Sequence, residues 1–215
     1  MNDLIVENVS KIIHNNIILN KINLSLDEGK IYGLYGPNGS GKTMLIRTMS
    51  GLMKPTSGFV RYKNHVLYDE FDFMPNIGLI IENISLYDEF SGYKNLVLLA
   101  KIRKRCTNET IEKYMKEFGL SPDDKKIVKK YSLGMKQKLS IIQAFMEKPS
   151  VLLLDEPTNA LDTSSVNRFV GLCKSAAEEN AIVIIASHDK ELIQNLCDVT
   201  YYMNAGEITE KVVKL

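Results

Sequence analysis

The sequence predicts an α/β protein with a mainly parallel sheet and its helices, an N-terminal antiparallel β layer and an inserted helical subdomain. Three observations carry this prediction. Short apolar runs alternate with helical patterns in residues 31–50 and 151–196, as in parallel sheets. Strand patterns alone precede residue 30, whereas residues 91–148 show helical spacing. We expect one domain over residues 1–215, with the helical subdomain at about 83–148; extra helices of one continuous core are the alternative.

The N-terminal β layer is predicted from three short apolar patterns. Leu4 to Val6 and Ile17 to Leu19 are apolar runs of strand type, and apolar residues alternate with polar ones from Ile22 to Leu26. Glu28-Gly29 then turns the chain into a buried strand at Ile31 to Tyr35. These patterns predict β structure before the first strand–helix unit.

Directly after that strand, the sequence reads Gly-Pro-Asn-Gly-Ser-Gly-Lys-Thr, the pattern of a phosphate-binding loop. An apolar helical face follows the loop, so the context is strand, loop, helix, and it predicts a P-loop NTPase core. Glycines let the backbone wrap around phosphates, and the first helical amides point their N–H groups at them. We expect Lys42 to contact the β- and γ-phosphates and Thr43 to place its hydroxyl on Mg²⁺; a glycine-rich turn with an exposed lysine is the alternative. The expected ATP contacts in this loop are Gly36, Pro37, Asn38, Gly39, Ser40, Gly41, Lys42, Thr43 and Met44.

The middle of the chain changes from strand to helix. Strands are predicted at Phe59 to Tyr62 and at Ile77 to Ile81, the second followed at once by Glu82. Helical spacing then begins near Ser91, and Asn108 is the predicted cap of a further helix that Gly119 ends.

The C-terminal part returns to strand–helix alternation and ends in a hairpin. Four predicted strands are followed closely by residues that suit a phosphate site: Gly36, Glu82, Asp155 and His188. Ligands of parallel sheets bind at the carboxyl ends of the strands, so these four residues are expected around one phosphate site. The predicted elements are strands at 151–154 and 181–186, helices at 166–173 and 192–196, and a hairpin of 199–203 with 208–213.

Two adjacent carboxylates end the apolar strand Leu152-Leu153-Leu154. In a phosphate-loop enzyme, Asp155 at this place helps to hold Mg²⁺. Glu156 is a second carboxylate. Positioned over the γ-phosphate, it would orient and polarise the attacking water. The alternative for this pair is a strand end that meets solvent.

Composition limits the other classes of function. A net charge of +1 gives no overall sign of a nucleic-acid partner. The three cysteines, Cys106, Cys173 and Cys197, lack metal-site spacing and suit a reducing compartment. Residues 1–8 lack the features of a signal peptide. The longest apolar runs are too short to span a bilayer, so a role at a membrane would need spans from another chain.

Further motifs complete a recognisable set. Residues 131–137 read Tyr-Ser-Leu-Gly-Met-Lys-Gln, residues 151–162 read Val-Leu-Leu-Leu-Asp-Glu-Pro-Thr-Asn-Ala-Leu-Asp, and Ser187-His188-Asp189 follows. In this order, with the phosphate loop, the set resembles the nucleotide-binding subunit of an ABC transporter over essentially the whole chain. The form Ser-Leu-Gly-Met-Lys-Gln at 132–137 resembles ATP-binding subunits of bacterial drug and peptide exporters, and the stretch 77–83 resembles bacitracin and lantibiotic self-protection exporters.

The resemblance implies an ATP-hydrolysing, Mg²⁺-dependent subunit that powers export through separate membrane-spanning permease subunits, with peptide antibiotics or drugs as candidate cargo. It implies a cytoplasmic protein, peripheral on the inner face of the cell membrane, with no nucleic-acid partner. Two copies would sandwich ATP head to tail, and binding and hydrolysis would close and reopen this dimer. A homodimer is the expectation; pairing with a different nucleotide-binding subunit is the alternative.

The resemblance also implies residue roles. Glu156 is the catalytic carboxylate, His188 holds the γ-phosphate and the attacking water, and Lys42 contacts the phosphates. Thr43, Asp155 and Glu82 are the implied Mg²⁺ ligands. Asp162 would reach across the dimer and help to register its two sites. The residues implied to contact the partner's ATP are Ser132, Leu133, Gly134, Met135 and Gln137.

Three positions depart from the family pattern. Leu133 stands where a second glycine is usual, and Glu82 stands where glutamine is usual. Ile13, beside His14, stands where a tyrosine often stacks on adenine, so the implied adenine contact is aliphatic. We therefore expect GTP to compete with ATP better than in relatives that carry the tyrosine.

A permease contact and two rival functions complete the expectations. The resemblance places the permease on the surface at 83–101, where Ile84, Leu86, Tyr87 and Phe90 are expected to form an apolar patch; ordinary core packing is the alternative. One rival function is a soluble ABC protein of the translation-factor or DNA-repair type. The other is a nucleotide sensor without turnover.

Overall fold

The computed structural model describes residues 3–81 and 86–214, and in these ranges the chain forms two sheets and six helices. The strands are β1 (Leu4–Ile13), β2 (Asn16–Leu26), β3 (Ile31–Tyr35), β4 (Ser57–Tyr62), β5 (His65–Val66), β6 (Ile77–Ile80), β7 (Val151–Asp155), β8 (Ile182–Ser187), β9 (Val199–Asn204) and β10 (Glu207–Val213). The helices are α1 (Lys42–Ser50), α2 (Gly92–Arg103), α3 (Asn108–Glu117), α4 (Leu133–Phe145), α5 (Thr163–Glu178) and α6 (Lys190–Leu196).

The larger sheet has six strands in the order β10-β9-β3-β8-β7-β6. Strands β9, β3, β8, β7 and β6 run parallel, and only β10 is antiparallel to its neighbour. Tyr35 pairs with Ser187 and Asp155 pairs with Ala186, so β3, β8 and β7 end at one edge. The parallel sheet predicted from strand–helix alternation is therefore confirmed, and its carboxyl edge collects the phosphate loop and both polar strand ends.

The smaller sheet is the predicted antiparallel layer, in the order β2-β1-β4-β5. The strand patterns predicted at Ile17 to Leu19 and at Ile22 to Leu26 are both confirmed, and they belong to one strand, β2, which runs from Asn16 to Leu26. Its pairing with β1 shifts register, and Lys21 has a φ of 48°. A positive φ inside a paired strand is typical of a β-bulge, so the polar pair Asn20-Lys21 between the two apolar patterns marks a bulge.

Alternating side chains of the parallel strands pack into two cores. On one face, Leu152 and Leu154 join the residues of α4, α5 and α6; on the other, Val151 and Leu153 join α1 and the antiparallel layer. Burying each such side chain stabilises the fold by about 1.5–3 kcal/mol. The parallel sheet is therefore covered on both faces, which holds its carboxyl edge rigid around the site.

The stretch between β6 and β7 contains α2, α3 and α4, with one 3-10 turn at Val128–Lys130. Its buried side chains, including Leu96, Met115 and Ile142, belong to the same cluster as Leu152 of the sheet. The predicted cap at Asn108 is wrong by one residue. Thr107 caps α3, because its side chain accepts a hydrogen bond from the Thr110 N–H.

The turn of the β9–β10 hairpin, at one side of the larger sheet, supports the phosphate loop. The Gly206 N–H donates to the Ser40 carbonyl at 3.0 Å, and the Gly206 carbonyl accepts from the Asn20 N–H at 2.8 Å. One glycine thus joins the loop to the antiparallel layer. None of the helices in the two described ranges has the length and hydrophobicity that crossing a membrane requires.

Candidate nucleotide-binding site

The phosphate loop and the carboxyl edge of the sheet enclose a cavity of about 600 Å³. Close packing shapes the start of the loop: a Cβ atom on Gly36 would lie 2.2 Å from the Met203 carbonyl oxygen. Only glycine fits at this approach to the hairpin. The lining residues are Ile18, Asn38, Gly39, Gly41, Lys42, Thr43, Met44, Arg47, Asp155, Glu156, Asn159 and His188.

Lys42 begins α1 and turns its ammonium group back over the loop. Its Nζ donates to the carbonyl oxygens of Gly36, at 2.6 Å, and Pro37, at 3.0 Å. The residue is only 6% exposed, and this burial lowers the pKa of the ammonium, while the Glu156 and Asp155 carboxylates oppose that shift. A buried cation held by neutral carbonyls gains a strong partner when phosphate oxygens enter the cavity.

The loop also contains a buried hydroxyl that suits a ligand. Ser40 is buried, and within the described residues its Oγ has no hydrogen-bond partner. Buried polar atoms are nearly always paired, so an unpaired hydroxyl inside a phosphate loop fits a site that oxygen-rich ligands complete.

Thr43 and Asp155 bring two oxygens to one point in this cavity. The Thr43 Oγ1 donates to the Asp155 Oδ2 at 2.6 Å, which joins α1 to the end of β7. Both groups are hard oxygen donors, the kind that Mg²⁺ prefers. No cluster of three or more His, Cys, Asp or Glu that could hold a metal occurs in residues 3–81 and 86–214. This small donor set fits Mg²⁺, which in nucleotide sites takes one or two carboxylates and completes its shell with phosphates and water.

Glu156 follows at once and is held in a constrained conformation. Its φ is 45°, uncommon for a residue with a Cβ, and its N–H donates to the Ala186 carbonyl at 2.8 Å. The side chain is fastened as well: Oε1 accepts from the His188 N–H at 3.0 Å, and Oε2 accepts from the Ser187 hydroxyl at 3.1 Å. The His188 Nδ1 lies 2.7 Å from the same Oε1. The carboxylate and imidazole therefore form one unit that faces the cavity.

The motif at residues 132–137 lies outside this cavity, at the start of α4. The Ser132 Oγ caps α4 by accepting from the Met135 N–H at 3.2 Å. Leu133 is 68% exposed, and a Cβ on Gly134 would lie 2.6 Å from the Ala160 carbonyl oxygen. The Gln137 amide donates to the Pro157 carbonyl at 2.8 Å. The motif is thus tied to the loop after β7 and leaves its N-terminal end open to an external group.

Asp162 caps α5 from the end of that loop. Its Oδ1 accepts from the Ser165 N–H at 2.8 Å and the Ser164 hydroxyl at 2.6 Å, and its Oδ2 pairs with Lys138 at 2.8 Å. The Lys138 ammonium, with these donors, holds the pKa of the Asp162 carboxyl well below its usual range. The pair of Lys138 on α4 and Asp162 before α5 therefore links the motif's helix to the loop that follows Glu156.

The structure does not place every predicted residue at the cavity. Ile13 ends β1 opposite Asn16 and is absent from the cavity lining, whereas Ile18 on β2 lines the cavity. Glu82 lies outside the described residues. Sequence reasoning missed Ile18, Arg47 and Asn159 as lining residues. Helical spacing could have found Arg47, because it comes one turn after Thr43 on α1.

Comparison with known proteins agrees with this geometry. The profile of the family described as "ABC transporter" matches residues 19–159. An uncharacterized ABC transporter ATP-binding protein, YybJ of Bacillus subtilis (strain 168), is 43% identical over 210 residues, which are 97% of this chain and 96% of the relative.

Two further relatives carry named transport roles. The bacitracin transport ATP-binding protein BcrA of Enterococcus faecalis is 39% identical over 96% of this chain and 68% of its own length. The lantibiotic transport ATP-binding protein SrtF of Streptococcus pyogenes is 33% identical over 94% of this chain and 87% of its own length.

A solved structure supports the fold. The dimeric ATP-binding cassette MJ0796, in a post-hydrolysis state bound to ADP and Pi, superposes with a TM-score of 0.86 over 98% of both chains, at 22% identity. That likeness concerns the fold alone, whereas the family profile and the relatives above 30% identity concern the sequence itself. Together with the phosphate loop and the Asp155–Glu156 strand end, they establish that this chain belongs to the family of ATP-binding, ATP-hydrolysing subunits of ABC transporters.

Proposed function

We propose that this chain hydrolyses ATP with Mg²⁺ and powers export through separate permease subunits on the inner face of the cell membrane. The observation that carries the proposal is the Glu156 carboxylate, fastened by His188 and Ser187 opposite the phosphate loop. A carboxylate in this place accepts a proton from the attacking water, while Lys42 and the loop amides stabilise the charge on the phosphates.

Mg²⁺ is part of the proposal. Thr43 and Asp155 would hold the ion, and the ion would neutralise charge on the β- and γ-phosphates. We propose Glu82 as a further Mg²⁺ ligand on the basis of the family resemblance alone. Ser40 and Lys42 then bind phosphate oxygens directly, and the chain's own groups orient the nucleotide.

A head-to-tail dimer completes the site. Ser132, Leu133, Gly134, Met135 and Gln137 lie apart from their own chain's cavity, and Ser132 presents the N-terminus of a 13-residue helix. Such a terminus favours phosphate, so we assign these residues to the γ-phosphate bound by a second copy. Asp162, on the loop beside Gly134, would help to register the two sites. ATP then shifts a population from open to closed dimers.

The helical segment, residues 86–148, is proposed as the subdomain that receives the permease. Tyr87 is 60% exposed and packs on Phe90, with 5.6 Å between the ring centroids. Phe90 also lines a groove of about 430 Å³ with Tyr93 and Val97. These exposed aromatic and apolar surfaces suit a permease segment; Ile84, expected in the same patch, lies outside the described residues. Peptide antibiotics are the proposed cargo class, because bacitracin and lantibiotic transport proteins are among the relatives.

Co-purification tests this function most directly. The tagged chain is expressed in its native cells and extracted in detergent. A multispanning membrane protein should purify with it. The purified complex should release phosphate from ATP only when Mg²⁺ is present. Lys42→Ala should keep the membrane partner and abolish phosphate release. Co-sedimentation with ribosomes, with no membrane partner, would instead support a soluble ABC protein.

A further inference from the structure

The end of α2 carries an unusual exposed cluster. Residues 101–105 read Lys-Ile-Arg-Lys-Arg, and all five are exposed. Ile102 is 76% exposed, more than any other large apolar side chain in the described part of the chain. A protruding isoleucine inside a run of four cations has no role in the packing of α2. We call residues 101–105 the basic cluster.

Most of this positive charge is not neutralised within the chain. Arg103 approaches Glu147 at 4.0 Å, and Arg105 donates to the neutral Asn76 side chain at 2.5 Å. Across residues 3–81 and 86–214, neither Lys101 nor Lys104 forms an ion pair. The basic cluster therefore keeps a local field that favours an anionic partner.

Positive and negative charges are distributed unevenly along the chain. Residues 86–148 contain fourteen Lys and Arg against eight Asp and Glu, although the whole chain has a net charge of only +1. The helical segment is thus basic, and the rest of the chain is acidic. Such a division within one domain is a sign of contact with a polyanionic surface.

Helical spacing places the basic cluster on the same side as the groove. Lys94, Leu98, Lys101 and Ile102 follow one another around the outer side of α2, whereas Leu96 on the opposite side is buried. Lys94 also lines the groove of about 430 Å³. A permease segment bound in that groove would therefore bring the basic cluster towards the bilayer that holds the permease.

We propose that the basic cluster binds the anionic headgroups of a lipid bilayer, with Ile102 inserted among them. Lys and Arg near an anionic bilayer each add to the attraction, and an apolar side chain between them buries surface at the headgroup boundary. A single apolar residue and four cations give weak, reversible, salt-sensitive binding. The contact goes beyond the proposed transport function, because it needs neither ATP nor the permease.

Vesicle co-sedimentation tests the contact without a permease. The full chain should bind vesicles of phosphatidylcholine mixed with phosphatidylglycerol, should ignore pure phosphatidylcholine vesicles, and should release at high salt. The double variant Lys101→Glu/Lys104→Glu should bind about tenfold more weakly or worse. The matched control Lys113→Glu/Lys116→Glu makes the same charge change at exposed lysines of α3 and should keep most of the binding.

A second measurement follows Ile102 itself. The chain contains no tryptophan, so Ile102→Trp introduces a single tryptophan, which can be excited selectively, at an exposed position. Its emission should shift to the blue with anionic vesicles and stay unchanged with neutral ones. ATP turnover of the isolated Lys101→Glu/Lys104→Glu chain, measured without a permease, should equal that of the parent because neither lysine lines the nucleotide cavity. This control separates failure of the lipid contact from failure of the proposed ATPase.

Three results would overturn the proposal. One is no binding to anionic vesicles at low salt. Another is an equal loss of binding in the α3 control pair, which would mean that diffuse charge and not the basic cluster is responsible. The third is stronger binding to an RNA or DNA oligonucleotide, together with an unshifted tryptophan emission when the Ile102→Trp variant meets anionic vesicles.

Discussion

The His188 Nδ1 lies 2.7 Å from the Glu156 Oε1, and the His188 backbone N–H donates to the same oxygen at 3.0 Å. One residue therefore fixes the carboxylate that we propose as catalytic, through both its main chain and its ring. The ring is half exposed and faces the cavity, so it can also reach a bound γ-phosphate. This double contact makes His188 the support on which the geometry of Glu156 depends.

His188→Ala should reduce ATP turnover by about 10²- to 10³-fold, because the positioned carboxylate loses its ring partner and the γ-phosphate loses a donor. Steady-state phosphate release with Mg²⁺ measures it. The control His65→Ala removes a histidine that pairs with Glu70 outside the cavity and should leave turnover unchanged. Turnover of His188→Ala within about twofold of the parent would contradict the assigned role.

Base selectivity should be weak. Ile13 and Ile18, in the antiparallel strands β1 and β2, have aliphatic side chains with no polar group to read the edge of a base, and one such hydrogen bond is worth about 0.5–1.5 kcal/mol. GTP should therefore displace a fluorescent ATP analogue within about tenfold of ATP itself. Steep rejection of GTP in the same competition experiment would count against this expectation.

A tyrosine scan identifies which isoleucine meets the base. Stacking contributes about 1–3 kcal/mol per base, so tyrosine at the right position should tighten ATP binding about 5- to 150-fold. Ile18 lines the cavity and Ile13 does not, so Ile18→Tyr should have the larger effect on the dissociation constant. Ile17→Tyr, at an exposed position on β2, is the control.

Gly134→Ala separates binding from turnover. The added Cβ would lie 2.6 Å from the Ala160 carbonyl, so the start of α4 must shift. Because Gly134 lies outside its own chain's cavity, the monomer should bind ATP with an unchanged dissociation constant. Turnover should fall at least about tenfold, because the partner's γ-phosphate loses a well-placed helix terminus. An equal loss of binding and turnover would mean that the residue acts inside its own subunit.

Ala205 offers a stability test in the turn that contacts the phosphate loop through Gly206. The two-residue loop between β9 and β10 has positive φ at Ala205 (45°) and Gly206 (81°), the geometry of a type I′ turn. Alanine is strained in this conformation and asparagine tolerates it, so Ala205→Asn should stabilise the fold by about 0.5–1 kcal/mol. In a domain of this size that corresponds to a Tm about 1–4 °C higher. An unchanged or lower Tm would contradict this account of the turn.

The sequence predicts a structural feature well when residues close together in the chain determine that feature. The phosphate loop was predictable residue by residue, because Gly36 to Thr43 make the loop with their own backbone. The bulge at Lys21 was not, since a positive φ in a non-glycine residue has no composition signal. Thr107 and Asn108 are both capping residue types, and only the Thr107–Thr110 hydrogen bond decides between them.

The remaining parts of the site depend on tertiary placement. In the sequence, Ile18 is an ordinary apolar strand residue. Only the structure shows that β2 passes beside the cavity and that Ile18 lines it. Ser187 was visible only as part of a motif, and its hydrogen bond to Glu156 arises because β7 and β8 are neighbours in the sheet. Pairing of strands that are distant in sequence is therefore the information that the local patterns lack.

The central claim is that Glu156 is the catalytic carboxylate of a site shared between two copies. Light scattering of Glu156→Gln with ATP and Mg²⁺, beside the parent chain, tests it most directly. Glu178→Gln, an exposed glutamate on α5, is the matched control and should behave as the parent. The account predicts that Glu156→Gln forms a stable ATP-bound dimer and stops phosphate release, while the parent stays mostly monomeric and turns ATP over. Hydrolysis by Glu156→Gln at the parent rate would contradict it, and Glu82 would be the residue to test next.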